Sequence, residues 1–220
     1  MPTLPARLMR FPALAVASLL LLTACGGGSS DPGPVATIPD PVQPGPPTQS
    51  PPVQPEPVLA DVFTEWATIT GQPAWGAWVS PPNRATVNGV ACLVNENFHQ
   101  HSLVSIYKDG VRLGLPGDIG RGGCTYELHT HEASGVVHIE TDVAKKFTLG
   151  QFFSLWGQPL GTGGTAGLGS SVRFYVIANE KLTRYLGDPA ALELVAHREI
   201  VIIAGAAPAV LPNYRWPSTI

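Results

Sequence analysis

Apolar and polar positions alternate with a period of two over several stretches of this chain, and fall at helical spacing over one. His99 to Leu115 alternates on either side of Lys108-Asp109-Gly110, and Asp-Gly between two alternating runs predicts a hairpin. Val87 to Glu96 reads as a turn and a strand that carries Cys92. Tyr126 to His131 and Val136 to Glu140 read as the arms of a second hairpin, joined through Ala133-Ser134-Gly135. Val172 to Leu182 and Arg198 to Gly205 are the two most apolar, β-branched runs, and the latter reads as a closing strand. Leu149, Phe152, Phe153 and Trp156 fall on one helical face, with Thr148 placed to cap its start and Gly157 to end it. A shorter helix, capped by Asp61, is predicted over Asp61 to Ala67. This order predicts an α+β fold, a β-grasp-like mixed sheet with one main helix on one face and an inserted histidine-rich hairpin at 124–140. The alternative, an all-β sandwich, requires that Phe147 to Gly157 not be helical.

The inserted hairpin is where chemistry enters. Successive side chains on a strand point to opposite faces, so His129 shares a face with His131, and His138 with Glu140. A loop of two residues (Ser134-Gly135) or four (Glu132 to Gly135) brings the two pairs to the same side of the ribbon, with Glu127 beside them. A three-residue loop separates them. A second His-x-His, His99-Gln100-His101, heads the preceding strand, and its rings also share a face. Neutral imidazole is the commonest protein ligand for zinc, copper, nickel and iron, and i, i+2 spacing on a strand lets two rings reach one ion. The spacing therefore points to a transition metal, copper or zinc, held by His129, His131 and His138, with His99, His101 and Glu140 completing that site or forming a second. The bland alternative is a set of surface or hydrogen-bonded core histidines.

Composition and charge then set the address. Arg7 and Arg10 precede an apolar run from Phe11 to Leu22, too short for an ordinary transmembrane helix and shaped like a secretory signal over residues 1–24. From Asp31 to Val58 eleven prolines are interspersed with Gln, Gly, Val and Thr, a composition that cannot bury a core and favours extended polyproline II. Residues 25–58 thus read as a linker able to span roughly 100 Å at ~3.1 Å per residue. Residues 59–220 suit a single globular domain. The formal charge is −3 over the whole chain. Without Arg7 and Arg10, eleven basic side chains face sixteen acidic ones, a balance of −5 that leaves no basic stripe for DNA or RNA.

Of three cysteines, Cys25 follows Leu22-Thr23-Ala24, and Cys92 and Cys124 remain as an even pair. In an oxidising compartment a disulfide between them is the default, with Cys124 as a thiolate ligand the alternative. Trp75 and Trp78 read as core or edge cover rather than a ligand platform. The glycine-rich Pro116 to Gly123 has no helix after it and so makes a poor phosphate loop. Ser134 lacks a nucleophile elbow and reads as a turn residue. His197 reads as structural or exposed.

Leu22-Thr23-Ala24-Cys25 resembles the lipobox of bacterial lipoproteins, and Gly26 to Ser30 the flexible segment that follows it. That resemblance implies cleavage before Cys25, lipidation of its thiol and attachment to the membrane, on the outer-membrane or periplasmic side in a Gram-negative host. The stretches VNGVAC, HQHSLVSIYKDG, CTYELHTHEASGVVHIE, FTLGQFFSLWGQPL and HREIVIIAG together resemble a group of secreted or lipid-anchored bacterial and archaeal proteins. Its pattern runs His-x-His, Cys with L-H-T-H-D-x-S-G-x-x-H-x-E, then F-T-L-G-Q-F-F-x-x-W-G. Glu132 stands here where that pattern has Asp. The resemblance implies that the histidine hairpin is a family feature and implies no reaction.

Three functions are consistent with these features. The first is a lipid-anchored envelope protein that carries, buffers or senses copper or zinc. The second is a metal-dependent envelope enzyme of hydrolase or non-haem iron oxygenase type, with Glu127 or Glu132 as general base. The third is a metal-free envelope scaffold.

Overall fold

The computed structural model describes residues 54–66, 70–169 and 171–218. The signal segment 1–24, Cys25 and most of the proline-rich linker lie outside the described residues. In chain order the described residues form β1 (Val58–Glu65), β2 (Gln72–Pro73), β3 (Phe98–Lys108), β4 (Val111–Gly114), β5 (Leu128–His129) and β6 (Val136–Thr141). There follow β7 (Phe147–Thr148), α1 (Leu149–Trp156), β8 (Val172–Ala178), β9 (Lys181–Tyr185), β10 (Glu193–Leu194), β11 (Glu199–Ala204) and β12 (Val210–Arg215).

The main sheet is mixed and runs β2-β4-β3-β11-β8-β9, with β11 parallel to β3 and antiparallel to β8. Strand β3, eleven residues long, is its axis. Along one edge its C-terminal half pairs with β4 and its N-terminal half with β6, which carries β5 on its far side. Turn chemistry sets the β3–β4 hairpin, because Asp109 and Gly110 both take positive φ (48° and 82°), the geometry of a tight turn matched to strand twist.

The two faces of the sheet are covered differently. Val104 and Ile106 of β3, Val137 and Ile139 of β6, Leu128 of β5 and Ile200 and Ile202 of β11 all point to one face, where they pack with Leu149, Phe152, Phe153 and Trp156 of α1. Residues of the opposite parity, Tyr107, Val201 and Ile203, pack with Leu211 of β12 on the other face. There β1 and β12 form a separate parallel ribbon. The helix is fixed by a full capping box: Thr148 Oγ1 accepts from Gln151 N, Gln151 Oε1 accepts from Thr148 N, and Gly157 closes the end at φ 76°. Its formation decides for α+β over the all-β sandwich.

Four expectations are corrected. The helix expected from Asp61 is β1 as far as Glu65, because pairing with β12 from the far end of the chain outweighs a weak local cap signal. Val172 to Leu182 is not one strand: Asn179 and Glu180, at φ 50° and 59°, turn it into the β8–β9 hairpin. Arg198 to Gly205 supplies β11 but does not close the chain, since β12 follows. Val87 to Glu96 forms no ladder, only the isolated bridges Val87 to Val90 and Cys92 to Tyr126.

Candidate metal centre

Strand register places the histidines. In the β3–β6 ladder His99 is opposite Glu140 and His101 opposite His138, while in the β5–β6 ladder His129 is opposite His138. That register is the one a four-residue loop from Glu132 to Gly135 produces. All these side chains therefore stand on the face turned away from α1, and side chains directly opposite each other come within ~5 Å. His131, two residues beyond the end of β5, joins them.

Three supports hold this wing of the sheet. Gly135, at φ 87°, accepts at its carbonyl from Val104 N at 2.9 Å, and a Cβ there would lie 2.2 Å from Val104 O. Arg112 of β4 donates to the carbonyl of Ser134 at 2.6 Å, tying the hairpin loop to the main sheet. Cys92 and Cys124 are joined as a disulfide, with S–S at 1.98 Å, which fixes the segment leading into β5 and removes the thiolate-ligand alternative.

The donor atoms converge. His99 Nε2 lies 3.0 Å from His101 Nε2 and 3.3 Å from His138 Nδ1, and the latter two are 2.9 Å apart. His129 Nε2 and His131 Nε2 are 3.2 Å apart. Glu140 Oε1 stands 3.2 Å from His99 Nε2 and 3.5 Å from both His129 Nε2 and His138 Nδ1. Two nitrogens bound at the usual 2.0–2.1 Å to one zinc ion would lie ~3.0 Å apart at right angles and ~3.4 Å apart at the tetrahedral angle. The nitrogen-to-nitrogen spacings, 2.9 to 3.3 Å, are close to that range. His129 Nδ1 lies 2.9 Å from the Tyr126 carbonyl, which can only accept; the proton is thus on Nδ1, and the Nε2 lone pair is left facing the cluster.

Burial is the largest influence on His101, His129 and His138 and keeps these three rings neutral, reinforced for His101 and His138 by the neighbouring imidazoles: His101 and His129 are lowered from 6.5 to about 4, and His138 to about 2. For His129 the bond to Tyr126 O opposes the burial without overcoming it. Burial, then the nearby Glu96, raises Glu140. At neutral pH His101, His129 and His138 are thus unprotonated, the state a metal requires. His101 Nδ1 is buried and has no hydrogen-bond partner among the described residues. The cluster opens into a bowl of about 390 Å³, whose wall is completed by Leu93, Glu96, Arg121 and Thr125.

All six predicted ligands are gathered here. Donor atoms of His129, His131, His138 and Glu140 lie within 4.8 Å of one another, as do those of His99, His101 and His138. The site could hold a metal ion. The two proposed general bases are elsewhere. A bend at Glu127 turns its carboxylate to Ala91 N (2.9 Å) and Lys145 Nζ (2.8 Å), while Glu132 Oε1 accepts from Ser134 Oγ in the loop. His197 lies against Trp216, with ring centroids 5.1 Å apart. Trp75 and Trp78 cover the core and donate from Nε1 to Ala166 O and Leu155 O, both at 2.8 Å. Glu96 was missed: it meets His99 Nδ1 at 3.0 Å, and its sole signal was an acidic residue three positions before the first His-x-His. Comparison with protein families, curated proteins and solved structures finds no match.

Proposed function

We propose that this chain is a lipid-anchored cell-envelope protein that holds copper or zinc through its histidine cluster, in order to carry, buffer or sense the ion. The observation that carries the proposal is the convergence of five imidazoles and Glu140, from three adjacent strands, at spacings that suit ligands of a metal. Imidazole-rich sites favour copper and zinc over magnesium and calcium, which take oxygen ligands. Support for the envelope comes from Leu22-Thr23-Ala24-Cys25, the proline-rich spacer and the Cys92–Cys124 disulfide, a bond that persists where the surroundings are oxidising. The carrier reading is preferred to an enzyme because Glu127 and Glu132 are engaged away from the cluster.

Elemental analysis tests this on protein purified without a polyhistidine tag. Copper or zinc at one equivalent or more per chain is expected, falling in His129→Ala with the fold checked by circular dichroism. No transition metal above trace, with no change in melting temperature on adding zinc or copper, would leave the metal-free scaffold as the better account.

A further inference from the structure

The donor atoms do not behave as the shell of a single ion. Six ligands at ~2.1 Å from one centre lie at most ~4.2 Å apart, so all of them would belong to a single set of mutual neighbours. They divide instead into His129, His131, His138 and Glu140 on one side and His99, His101 and His138 on the other, with His99 and Glu140 also grouped with Glu96. His99 Nε2, His101 Nε2 and His138 Nδ1 form a closed triangle with sides of 3.0, 3.3 and 2.9 Å, the footprint of three ligands on one face of an ion. His129 Nε2 and His131 Nε2, 3.2 Å apart, form a separate pair. Between them stands Glu140, its Oε1 at 3.2 Å from His99 and 3.5 Å from His129. A nitrogen has one lone pair and can serve one ion, so His138 Nδ1, closest to His101, belongs to the triangle. A carboxylate can bridge two.

Building on the metal-binding reading above, we infer that the cluster is a two-ion centre: one ion held by His99, His101 and His138, a second by His129 and His131, with the Glu140 carboxylate shared between them. Carboxylate-bridged pairs of ions in proteins sit ~3.5–4 Å apart. The second ion has fewer protein ligands and lies beside the exposed His131 at the mouth of the bowl, so it binds more weakly and keeps positions open to solvent or an incoming ligand.

The test uses the full chain without a polyhistidine tag, stripped with chelator and titrated with Zn(II), the bound ions being counted by native mass spectrometry. His99→Ala and His131→Ala remove an exposed ligand from each half, so neither disturbs the core. Expected are two ions in the wild type, bound in two steps, one in each variant and none in the double variant. Loaded with Cu(II) instead, the wild type should give the half-field electron paramagnetic resonance transition of a coupled pair, absent from both single variants. One ion in the wild type, lost in either variant, overturns the two-ion centre and leaves the metal-binding reading standing. No ion in the wild type overturns both.

Discussion

Glu199, the first residue of β11, is 3 % exposed, on the face opposite α1 and within the sheet that carries the histidine cluster. Ser105 Oγ donates to its Oε1 at 2.6 Å, and Arg112 Nη2 donates to that same Ser105 oxygen at 3.1 Å. Both neighbours favour the carboxylate, yet burial outweighs them and raises Glu199 from 4.5 to about 7. At ~1.4 kcal/mol per tenfold change in proton affinity, ionising it in the folded state costs ~3 kcal/mol more than in the unfolded chain. Below pH 4.5 the group is protonated in both states and has no effect. As pH rises from 4.5 to 7 the unfolded chain releases the proton first, so stability falls; above 7 the whole cost is present. Glu199→Gln keeps the shape and the acceptor for Ser105 but cannot ionise. Its advantage over the wild type should be near zero at pH 4.5 and ~3 kcal/mol at pH 8, or ~6–12 °C in melting temperature for a domain of this size.

Thermal melts by circular dichroism, with chelator present to remove metal linkage, measure this directly. The histidines act in the opposite sense: His101, His129 and His138 are lowered from 6.5, so the metal-free fold loses stability as pH falls below 6.5. They are common to both proteins and cancel in the difference between the two curves. A gap that does not vary with pH, or a wild type more stable than Glu199→Gln at pH 8, would mean that Arg112 holds an ionised Glu199 and that the burial argument is wrong.

Zinc at a hundred times its dissociation constant should stabilise the fold by ~2.7 kcal/mol, reversed by chelator; an unchanged melting temperature argues against a site. Replacing Cys92 and Cys124 together by serine opens a closed loop with a sequence separation of 32 and should cost ~3–4 kcal/mol in urea unfolding. Gly135→Ala forces a Cβ to 2.2 Å from Val104 O at φ 87° and should lower stability by at least ~2 kcal/mol and weaken metal binding with it, since the histidine loop hangs on that contact. Arg112→Met removes the bond to Ser134 O and should reduce zinc affinity without removing any ligand, read by calorimetric titration.

What could be read in advance depended on whether its cause was local. The β3–β4 hairpin, α1 with its Thr148 cap, and the shared face of the histidines follow from turn geometry, capping and strand parity, which neighbouring residues decide. The β1–β12 ribbon does not. β1 is mostly exposed and its partner comes from the far end of the chain, while Pro212 within β12 is tolerated only because a two-stranded ribbon leaves one edge of each strand free of ladder bonds. Asn179-Glu180 likewise carries no glycine to announce its turn. Whether His99 and His101 would meet His138 was open, because parity fixes the face and not the register. The 101-to-138 pairing is set by the β3–β6 ladder and by Gly135 bonding to Val104.

The position of the centre has a structural reason in β3. One face of that strand reads His99, His101, Leu103, Ser105, Tyr107, so its polarity changes along its length. From Leu103 onward β3 pairs with β11, and this face lies against the apolar underside of the β1–β12 ribbon: Leu103 packs with Tyr214, and Tyr107 packs with Leu211. Before Leu103, β11 has not begun, and β3 pairs along its other edge with β6, which carries β5; these strands bring His138, Glu140 and His129. Imidazoles two residues further along would be sealed beneath the ribbon, and on the opposite parity they would be buried against α1. Only at the strand's N-terminal end do ligands from three strands share a face that is buried enough to hold the rings neutral and open enough to admit an ion. The same α1 side core that makes the sheet rigid therefore fixes the ligand spacing from behind, without taking any part in the chemistry.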